Sequence, residues 1–295
     1  MSDVLVIGVA VVDFVFAVDG LPDRPAKYRA KGAEIVGGGC AANAAVAVAR
    51  LGGRARIGAR LGDDPMGDLI VDELAAEGVD TTLVQRTPGA RSSFSSVFVD
   101  AGGERQIMNF RGEGLTAGTG WIRSAPRCAA VLADTRWTGG AVEALRLARD
   151  WGVPGVVDAE APMDHEVLTE ASHVGFSRDG LLSYASGGDL QAALARADAA
   201  LPGWVAVTDG AKGTWHIDGG TPVHTPAFPV EAKDTLAAGD VWHGAFALAL
   251  AEGQGEAGAV RFANAAAALK CMTFGGRKGC PTRAELDRFL KEKTR

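Results

Sequence analysis

Short runs of aliphatic residues alternate with longer stretches of helical periodicity along most of the chain. The valine-rich and isoleucine-rich runs predict strands at residues 4–9, 54–59, 129–133, 153–158 and 204–208. The longer stretches predict helices at residues 41–51, 65–77, 140–151, 189–199, 238–251 and 257–272. Because the strand runs are continuous rather than alternating, we expect a mostly parallel sheet that helices cover on both faces.

Two segments depart from this alternation and predict a small separate sheet. Residues 14–36 contain a proline-rich stretch followed by polar, strand-like residues. Residues 91–110 contain SSFSSVFVD and RQIMNF, joined by Ala101-Gly102-Gly103-Glu104, which is typical of an antiparallel hairpin. We predict a β lid at residues 13–36 and 90–111, and a core at residues 1–12, 37–89 and 112–295. An ordinary surface hairpin is the alternative.

Composition narrows the functional classes. Apolar residues make up 47% of the 295 residues, and the net charge of −6 argues against general binding to nucleic acid or anionic membranes. The N-terminus lacks the basic region of a signal peptide, and no apolar run approaches the ~20 residues that span a bilayer. The four cysteines form no CxxC pair, so we expect free thiols in a cytoplasmic protein.

The segment DTLAAGD (residues 234–240) carries the strongest chemical signal. Gly239 and Asp240 stand at the predicted start of a helix, where free N–H groups and the helix dipole favour an anion. The small residues Ala237 and Ala238 let the backbone approach a phosphate closely. A carboxylate beside that phosphate can deprotonate an attacking hydroxyl, so we predict Asp240 as the catalytic base. A simple N-cap aspartate is the alternative.

Two glycine-rich turns precede or follow regular elements. The first opens GGGCAANAAVAVARLG (residues 37–52), where Asn43, on the first helical turn, could bond a sugar hydroxyl. The second, TDGAKG (residues 208–213), follows a predicted strand and suits a nucleotide phosphate or ribose, although it matches neither a GxGxxG nor a P-loop pattern. Taken alone, each segment fits an ordinary turn about as well.

With these three segments the chain resembles the ribokinase-like (PfkB) carbohydrate kinases. Residues 37–52 are similar to the N-terminal signature of that family, and DTLAAGDVWHGAF (residues 234–246) is similar to its C-terminal signature, normally D-T-x-G-A-G-D. Motif order, spacing and length also fit. The resemblance implies a Rossmann-like α/β/α sandwich with a small β-sheet lid, and ATP-dependent, magnesium-assisted phosphorylation of a sugar. It also implies a homodimer paired through the lids.

The resemblance further implies roles for individual residues. Asp240 falls on the catalytic base, and the anion hole falls on Ala237, Ala238 and Gly239. The positions that contact the sugar in the family correspond to Asp13, Gly38, Gly39 and Asn43. The positions that contact the nucleotide in the family correspond to Thr208, Gly210, Gly213, Asn264 and Gly275.

The chain departs from the family pattern at two places. Ala237 replaces the usual first glycine of the anion hole, which adds strain if its φ is positive. The Asn-x-x-Glu element, linked to magnesium and phosphate, appears as Ser177-Arg178-Asp179-Gly180. The residues that order magnesium are therefore unknown from the sequence, with Asp158 or Glu160 as candidates that act through water.

Three side chains indicate an anionic group on the sugar if they converge: Lys27 in a first lid strand, Asn109 at the hairpin end and Arg136 after a core strand. The strings PAKY, IMNF, LADTRW, FANAAAALKC and GGRKG resemble the sulfofructose kinases. That branch phosphorylates 6-deoxy-6-sulfofructose at the 1-hydroxyl. Ribose, fructose and 2-keto-3-deoxygluconate remain alternatives. Lys27 could equally be a solvated lid residue, and Arg136 could equally form a structural ion pair.

Two other classes compete with a kinase. A catalytically weak, sugar-binding regulatory protein fits the altered Ala237 and the missing Asn-x-x-Glu element, but the intact Asp240 opposes it. A dinucleotide oxidoreductase would require GxGxxG after the first strand, and the chain has GVAVVD (residues 8–13) instead.

Overall fold

An eight-stranded sheet forms the centre of the computed structural model, which describes residues 1–102 and 104–293. Six strands are parallel, and they follow the spatial order β12, β11, β10, β9, β1, β4. Their bounds are β1 Asp3–Ile7, β4 Arg54–Gly58, β9 Ala130–Asp134, β10 Gly155–Ala159, β11 His173–Ser177 and β12 Trp204–Thr208. The antiparallel strands β13 (Thr214–Asp218) and β14 (Thr221–Thr225) extend the sheet beyond β12.

Helices cover both faces of this sheet. One layer contains α1 Cys40–Arg50, α2 Pro65–Ala76, α7 Ala238–Ala251, α8 Glu256–Cys271 and α9 Arg283–Lys293. The other contains α3 Thr138–Trp151, α4 His165–Glu170, α5 Arg178–Tyr184 and α6 Leu190–Ala200. Val4 and Val6 of β1 pack in the first layer, and Leu5 and Ile7 pack against α3. Alternate residues of a fully buried strand thus serve both cores.

A second sheet of four strands lies outside the core, in the order β3, β2, β7, β8. The strands are β2 Val11–Ala17, β3 Gly32–Gly38, β7 Phe94–Val99 and β8 Arg105–Phe110. We call this sheet the lid. A short parallel pair, β5 (Arg60–Gly62) with β6 (Gln85–Thr87), completes the described sheets.

The predicted α/β/α sandwich with a small separate sheet is confirmed. The predicted strands and helices form close to the expected bounds, whereas the strands β5, β6, β11, β13 and β14 and the helices α4, α5 and α9 were not predicted. Gly103 of the predicted hairpin turn lies outside the described residues. Within residues 1–102 and 104–293, no helix has the length and hydropathy needed to cross a bilayer.

Candidate active site

Helix α7 begins directly after a left-handed residue. Ala237 has φ 64° and ψ 10°, a conformation that suits glycine, and the helix starts at Ala238. The amide of Ala238 donates to the carbonyl of Thr235 at 3.2 Å, so it is already engaged. Open space surrounds Gly239, where an added Cβ would have no heavy atom within 4 Å. The first turn therefore offers an accessible amide beside Asp240.

The Asp240 carboxylate lies at the junction of α7 and α1. Its Oδ2 accepts a hydrogen bond from Asn43 Nδ2 at 2.6 Å, while Asn43 Oδ1 is buried with no protein partner. Burial and the nearby Asp158 carboxylate raise the pKa of Asp240 to about 7, although Asn43 acts in the opposite direction. A carboxylate with a pKa near neutrality is suited to proton abstraction at physiological pH.

A second carboxylate approaches Asp240 from the end of β10. Ligand atoms of Asp158, Asp240 and Cys40 all lie within 4.8 Å of one another. Asp158 Oδ1 is 3.1 Å from His243 Nε2, which is one turn along α7 from Asp240. Burial would lower the pKa of His243, but Asp158 outweighs it and the pKa is raised. The resulting imidazolium would partly compensate the two carboxylates.

A cavity of about 390 Å³ lies between the lid and the core, next to this cluster. Asp13, Ser95 and Asn109 face each other across β2, β7 and β8, and Asn109 Nδ2 donates to Ser95 Oγ at 3.0 Å. Burial raises the pKa of Asp13, against the effect of Ser95. Gly39 and Cys40, at the start of α1, also line the cavity. This row of polar groups can bind the hydroxyls of a small polyol.

Three arginines line the same cavity, namely Arg60, Arg111 and Arg136. Arg60 stacks on the Trp137 ring at 4.3 Å and donates to the Thr116 carbonyl at 3.0 Å. Arg136 donates to the carbonyl of Ala161 and forms an ion pair with Glu160. The cavity wall therefore carries a positive field beside Asp13.

Lys27 does not belong to this group. The prediction that it lies in a lid strand is wrong, because β2 ends at Ala17 and β3 begins at Gly32. Lys27 is exposed in the irregular segment between them and does not line the cavity with Asn109 and Arg136. The prolines at positions 22 and 25 remove the amide donors that a continuous strand would need.

Asp134, at the end of β9, holds the loops around the cavity together. It is buried, and its carboxylate accepts hydrogen bonds from the amides of Val9 (2.7 Å), Ala41 (3.2 Å) and Arg136 (3.0 Å). Burial raises its pKa to about 6 against the effect of these amides. Gly8 leaves room for this carboxylate, since a Cβ there would overlap it.

The predicted nucleotide residues are distributed over two places. Thr208 ends β12, and Gly210 (φ 53°) and Gly213 (φ 106°) shape the turn into β13, so this turn also closes a hairpin. Asn264 is buried: its Oδ1 accepts from Thr214 and Trp242, and its Nδ2 donates to carbonyls of Thr225 and Pro226. An adenine contact would therefore have to come from its backbone or neighbours.

The other predicted groups lie at loop ends. Gly38 ends β3 against Asp13, and Gly275 (φ 104°) donates its amide to Asp234 at 3.1 Å. Ser177 caps α5 through a 3.0 Å bond from the Gly180 amide. At the replaced Asn-x-x-Glu element, Ser177 therefore serves as a helix N-cap.

Several groups at this site had no role predicted from the sequence. These are Asp134, His243, Arg60 and Arg111. Asp134 and Asp158 could have been found as acidic residues at the carboxyl ends of adjacent parallel strands, which meet at one edge of a sheet. Arg111 could have been found two residues after Asn109, and His243 three residues after Asp240, because these spacings share a strand face or a helix face. No local signal reveals Arg60, because only the fold brings it to the cavity.

Comparisons with known proteins agree with this geometry. The family model for "pfkB family carbohydrate kinase" matches residues 1–283. The chain is 30% identical over 297 residues to a ribokinase of Bacillus subtilis (strain 168), covering 98% of this chain and 100% of that one. A crystal structure of a putative ribokinase from Agrobacterium tumefaciens superimposes with a TM-score of 0.92 and 36% identity, covering 100% of this chain and 99% of the other.

A fructokinase of Vibrio alginolyticus is 28% identical over 284 residues, covering 86% of this chain and 91% of that one. The family model, which matches residues 1–283, spans both signatures and the lid. The chain therefore belongs to the pfkB family of carbohydrate kinases, which are phosphotransferases with an alcohol acceptor.

Proposed function

We propose that this kinase transfers the γ-phosphoryl group of ATP to a sugar hydroxyl, with Asp240 as the general base. One observation carries the proposal: Asp240, with a pKa near 7, lies at the N-terminus of α7 beside Cys40, which lines the sugar-sized cavity. A hydroxyl held by Asp13, Ser95 and Asn109 would be within reach of the Asp240 carboxylate. Lid strands over the cavity limit the access of water.

In this mechanism the sugar hydroxyl gives its proton to Asp240 as its oxygen attacks the γ-phosphorus and the bond to the β-phosphate oxygen breaks. Asn43 holds one oxygen of the carboxylate, which would leave the other oxygen to accept the proton. The amide of Gly239 would stabilise the charge that develops on the transferred group. Ala238 is less suited to the anion hole than predicted, because its amide already donates to the carbonyl of Thr235.

Magnesium fits the site through oxygen donors. Asp158 and Asp240 present carboxylate oxygens within 4.8 Å of each other, and Mg²⁺ prefers such ligands together with water and phosphate. Asp158, which also pairs with His243, is the residue we propose to hold it. When bound, Mg²⁺ neutralises charge on the phosphates.

For the sugar we propose an anionic ketose, with 6-deoxy-6-sulfofructose and phosphorylation at its 1-hydroxyl as the leading case. Three arginines and Asn109 line the cavity, where Asp13 is the acidic residue among the lining groups described. Guanidinium groups suit a tetrahedral sulfonate because they offer several donors in a fixed geometry. Arg136 is already paired with Glu160, whereas Arg111 is exposed, lines the cavity and has no ion pair among the described residues. Arg111 therefore adds the more available charge.

The test is an ADP-release assay on sulfofructose, fructose, ribose and 2-keto-3-deoxygluconate. We expect the highest kcat/KM on sulfofructose. Arg136→Ala should lower kcat/KM on sulfofructose far more than on fructose, whereas Arg123→Ala, on the exposed surface, should change neither. Equal losses on both sugars would remove Arg136 from anion recognition, and a preference for a neutral sugar would contradict the anionic substrate.

The same assay separates the kinase from a regulatory sugar-binding protein. The φ of 64° at Ala237 strains the anion hole, which is the observation in favour of weak catalysis. Sugar binding by calorimetry without sugar-dependent ADP release would support that alternative.

We also propose a homodimer through the lids in the cytoplasm. The outer lid surface exposes apolar side chains, including Ile35 (56% exposed) and Met108 (73% exposed), beside the stacked Phe16 and Phe98 rings. All four cysteines are free, in keeping with a reducing compartment. Sedimentation of wild type and of Met108→Glu tests the dimer: we expect only the variant to be monomeric.

A further inference from the structure

A lysine with no solvent exposure lies near the end of α8, and no role has been assigned to it so far. The Lys270 side chain has 0% exposure. Its Nζ donates to the main-chain carbonyl of Asp234 at 2.8 Å and lies 3.2 Å from Asp234 Oδ2. An ammonium in such a place is costly unless oxygens surround it. The Lys270 ammonium thus contacts both the backbone oxygen and a side-chain oxygen of Asp234.

The Asp234 carboxylate collects further donors. Its Oδ1 accepts the Leu236 amide at 2.9 Å, and its Oδ2 accepts the amides of Gly275 and Gly276 at 3.1 and 2.9 Å. Burial would raise the pKa of Asp234, but these amides and Lys270 outweigh it and the pKa is lowered. The pair therefore has an ionised carboxylate, and burial lowers the pKa of Lys270 against the effect of that charge.

This pair lies at the start of the catalytic segment. Leu236 directly precedes Ala237, whose left-handed backbone starts α7, and Asp240 follows in the first helical turn. Arg105 of lid strand β8 reaches Asp234 Oδ1 at 3.2 Å, so the lid joins the same carboxylate. A strained turn persists only when its surroundings hold it on both sides. The bonds at residues 234 and 236 provide that restraint on the side preceding α7.

We propose that Lys270 is a positioning residue, whose ammonium serves as a built-in monovalent cation that holds residues 234–237 and so aligns Asp240 and Gly239. Two oxygens of Asp234 around one ammonium form the kind of environment that a dissolved K⁺ or NH₄⁺ ion would otherwise occupy. The wild-type enzyme therefore does not need such an ion at this place. Because the role concerns phosphoryl transfer, it does not depend on which sugar is phosphorylated.

The test is Lys270→Ala, assayed with whichever sugar the wild type accepts. We expect kcat to fall by about 10- to 100-fold with little change in the KM for sugar, as for a small misplacement of catalytic groups. K⁺ or NH₄⁺ should restore a large part of the loss, while tetramethylammonium at equal ionic strength, being too large, should not. The wild type and Lys291→Ala, on the exposed surface of α9, should not respond to any of the three.

Thermal unfolding gives a second readout that needs no substrate. KCl should raise the Tm of Lys270→Ala more than tetramethylammonium chloride does, with no such difference for the wild type. If Lys270→Ala does not fold, Lys270→Met with Asp234→Asn removes both charges together, and it should fold and still lose turnover. Wild-type kcat in any folded Lys270 variant, or a wild-type enzyme that requires K⁺, would overturn the proposal.

Discussion

Replacing Asp240 by asparagine should make the protein more stable and the enzyme nearly inactive. The change keeps the shape of the side chain and removes the charge that burial and Asp158 disfavour. The pKa of Asp240 rises from 3.8 to about 7, which corresponds to about 4 kcal/mol at 1.36 kcal/mol per pKa unit. Because Asp240 is only half-buried, solvent screens part of this cost, and we expect a gain of about 2 kcal/mol at pH 8.

The sign of the pH dependence follows from the raised pKa. The protonated carboxyl is favoured in the folded chain, so its stabilising contribution is complete below pH 3.8 and is lost as pH rises through about 7. The stability gap between Asp240→Asn and wild type should therefore widen from pH 4 to 7 and stay constant above about pH 7. Urea unfolding at several pH values measures this gap.

Turnover should change in the opposite direction. Loss of a general base lowers kcat by roughly 10²- to 10⁴-fold, measured by ADP release under saturating sugar and ATP. Asp64→Asn is the matched control, since Asp64 caps α2 through the Gly67 amide at 2.9 Å and has a lowered pKa. That variant should lose stability at pH 8, because the folded chain favours the ionised carboxylate that it removes, and it should keep its turnover. Near-normal kcat in Asp240→Asn, or a loss of stability at pH 8, would refute the assignment.

Three further predictions follow from the same site. The kcat/KM of the wild type should rise with pH to a plateau above about 7, since Asp240 must be ionised; a profile flat from pH 5 to 9 would contradict this. Asn43→Ala removes the donor that lowers the pKa of Asp240, so the rising limb should move to higher pH, and an unmoved limb would argue against this coupling. Ala237→Gly should relieve about 1 kcal/mol of left-handed strain, partly offset by chain entropy, and raise the Tm by a few degrees in calorimetry; a lower Tm would show that the turn is unstrained.

Local pattern was sufficient for most of the core. Continuous aliphatic runs such as that of β1 can only be buried on both faces, and the helix that begins at Ala238 is marked by small residues followed by an apolar run. The lid hairpin was likewise predicted from its glycine-rich turn. Local pattern failed at Lys27. The polar, strand-like residues after the prolines did not indicate at which residue the lid strand begins, and β3 begins only at Gly32.

The sequence by itself determined the fold class and identified the segments that carry chemistry, because helix starts, glycine turns and strand hydrophobicity are local properties. The tertiary structure decided which side chains meet. Asp158 meets Asp240 and His243, Arg60 joins Asn109 in the cavity wall, and Lys270 reaches Asp234, all across large sequence separations. Such pairings depend on strand order and helix packing, so no spacing along the chain encodes them. The positive φ of Ala237 is of the same kind, since the surrounding hydrogen bonds rather than the residue itself impose it.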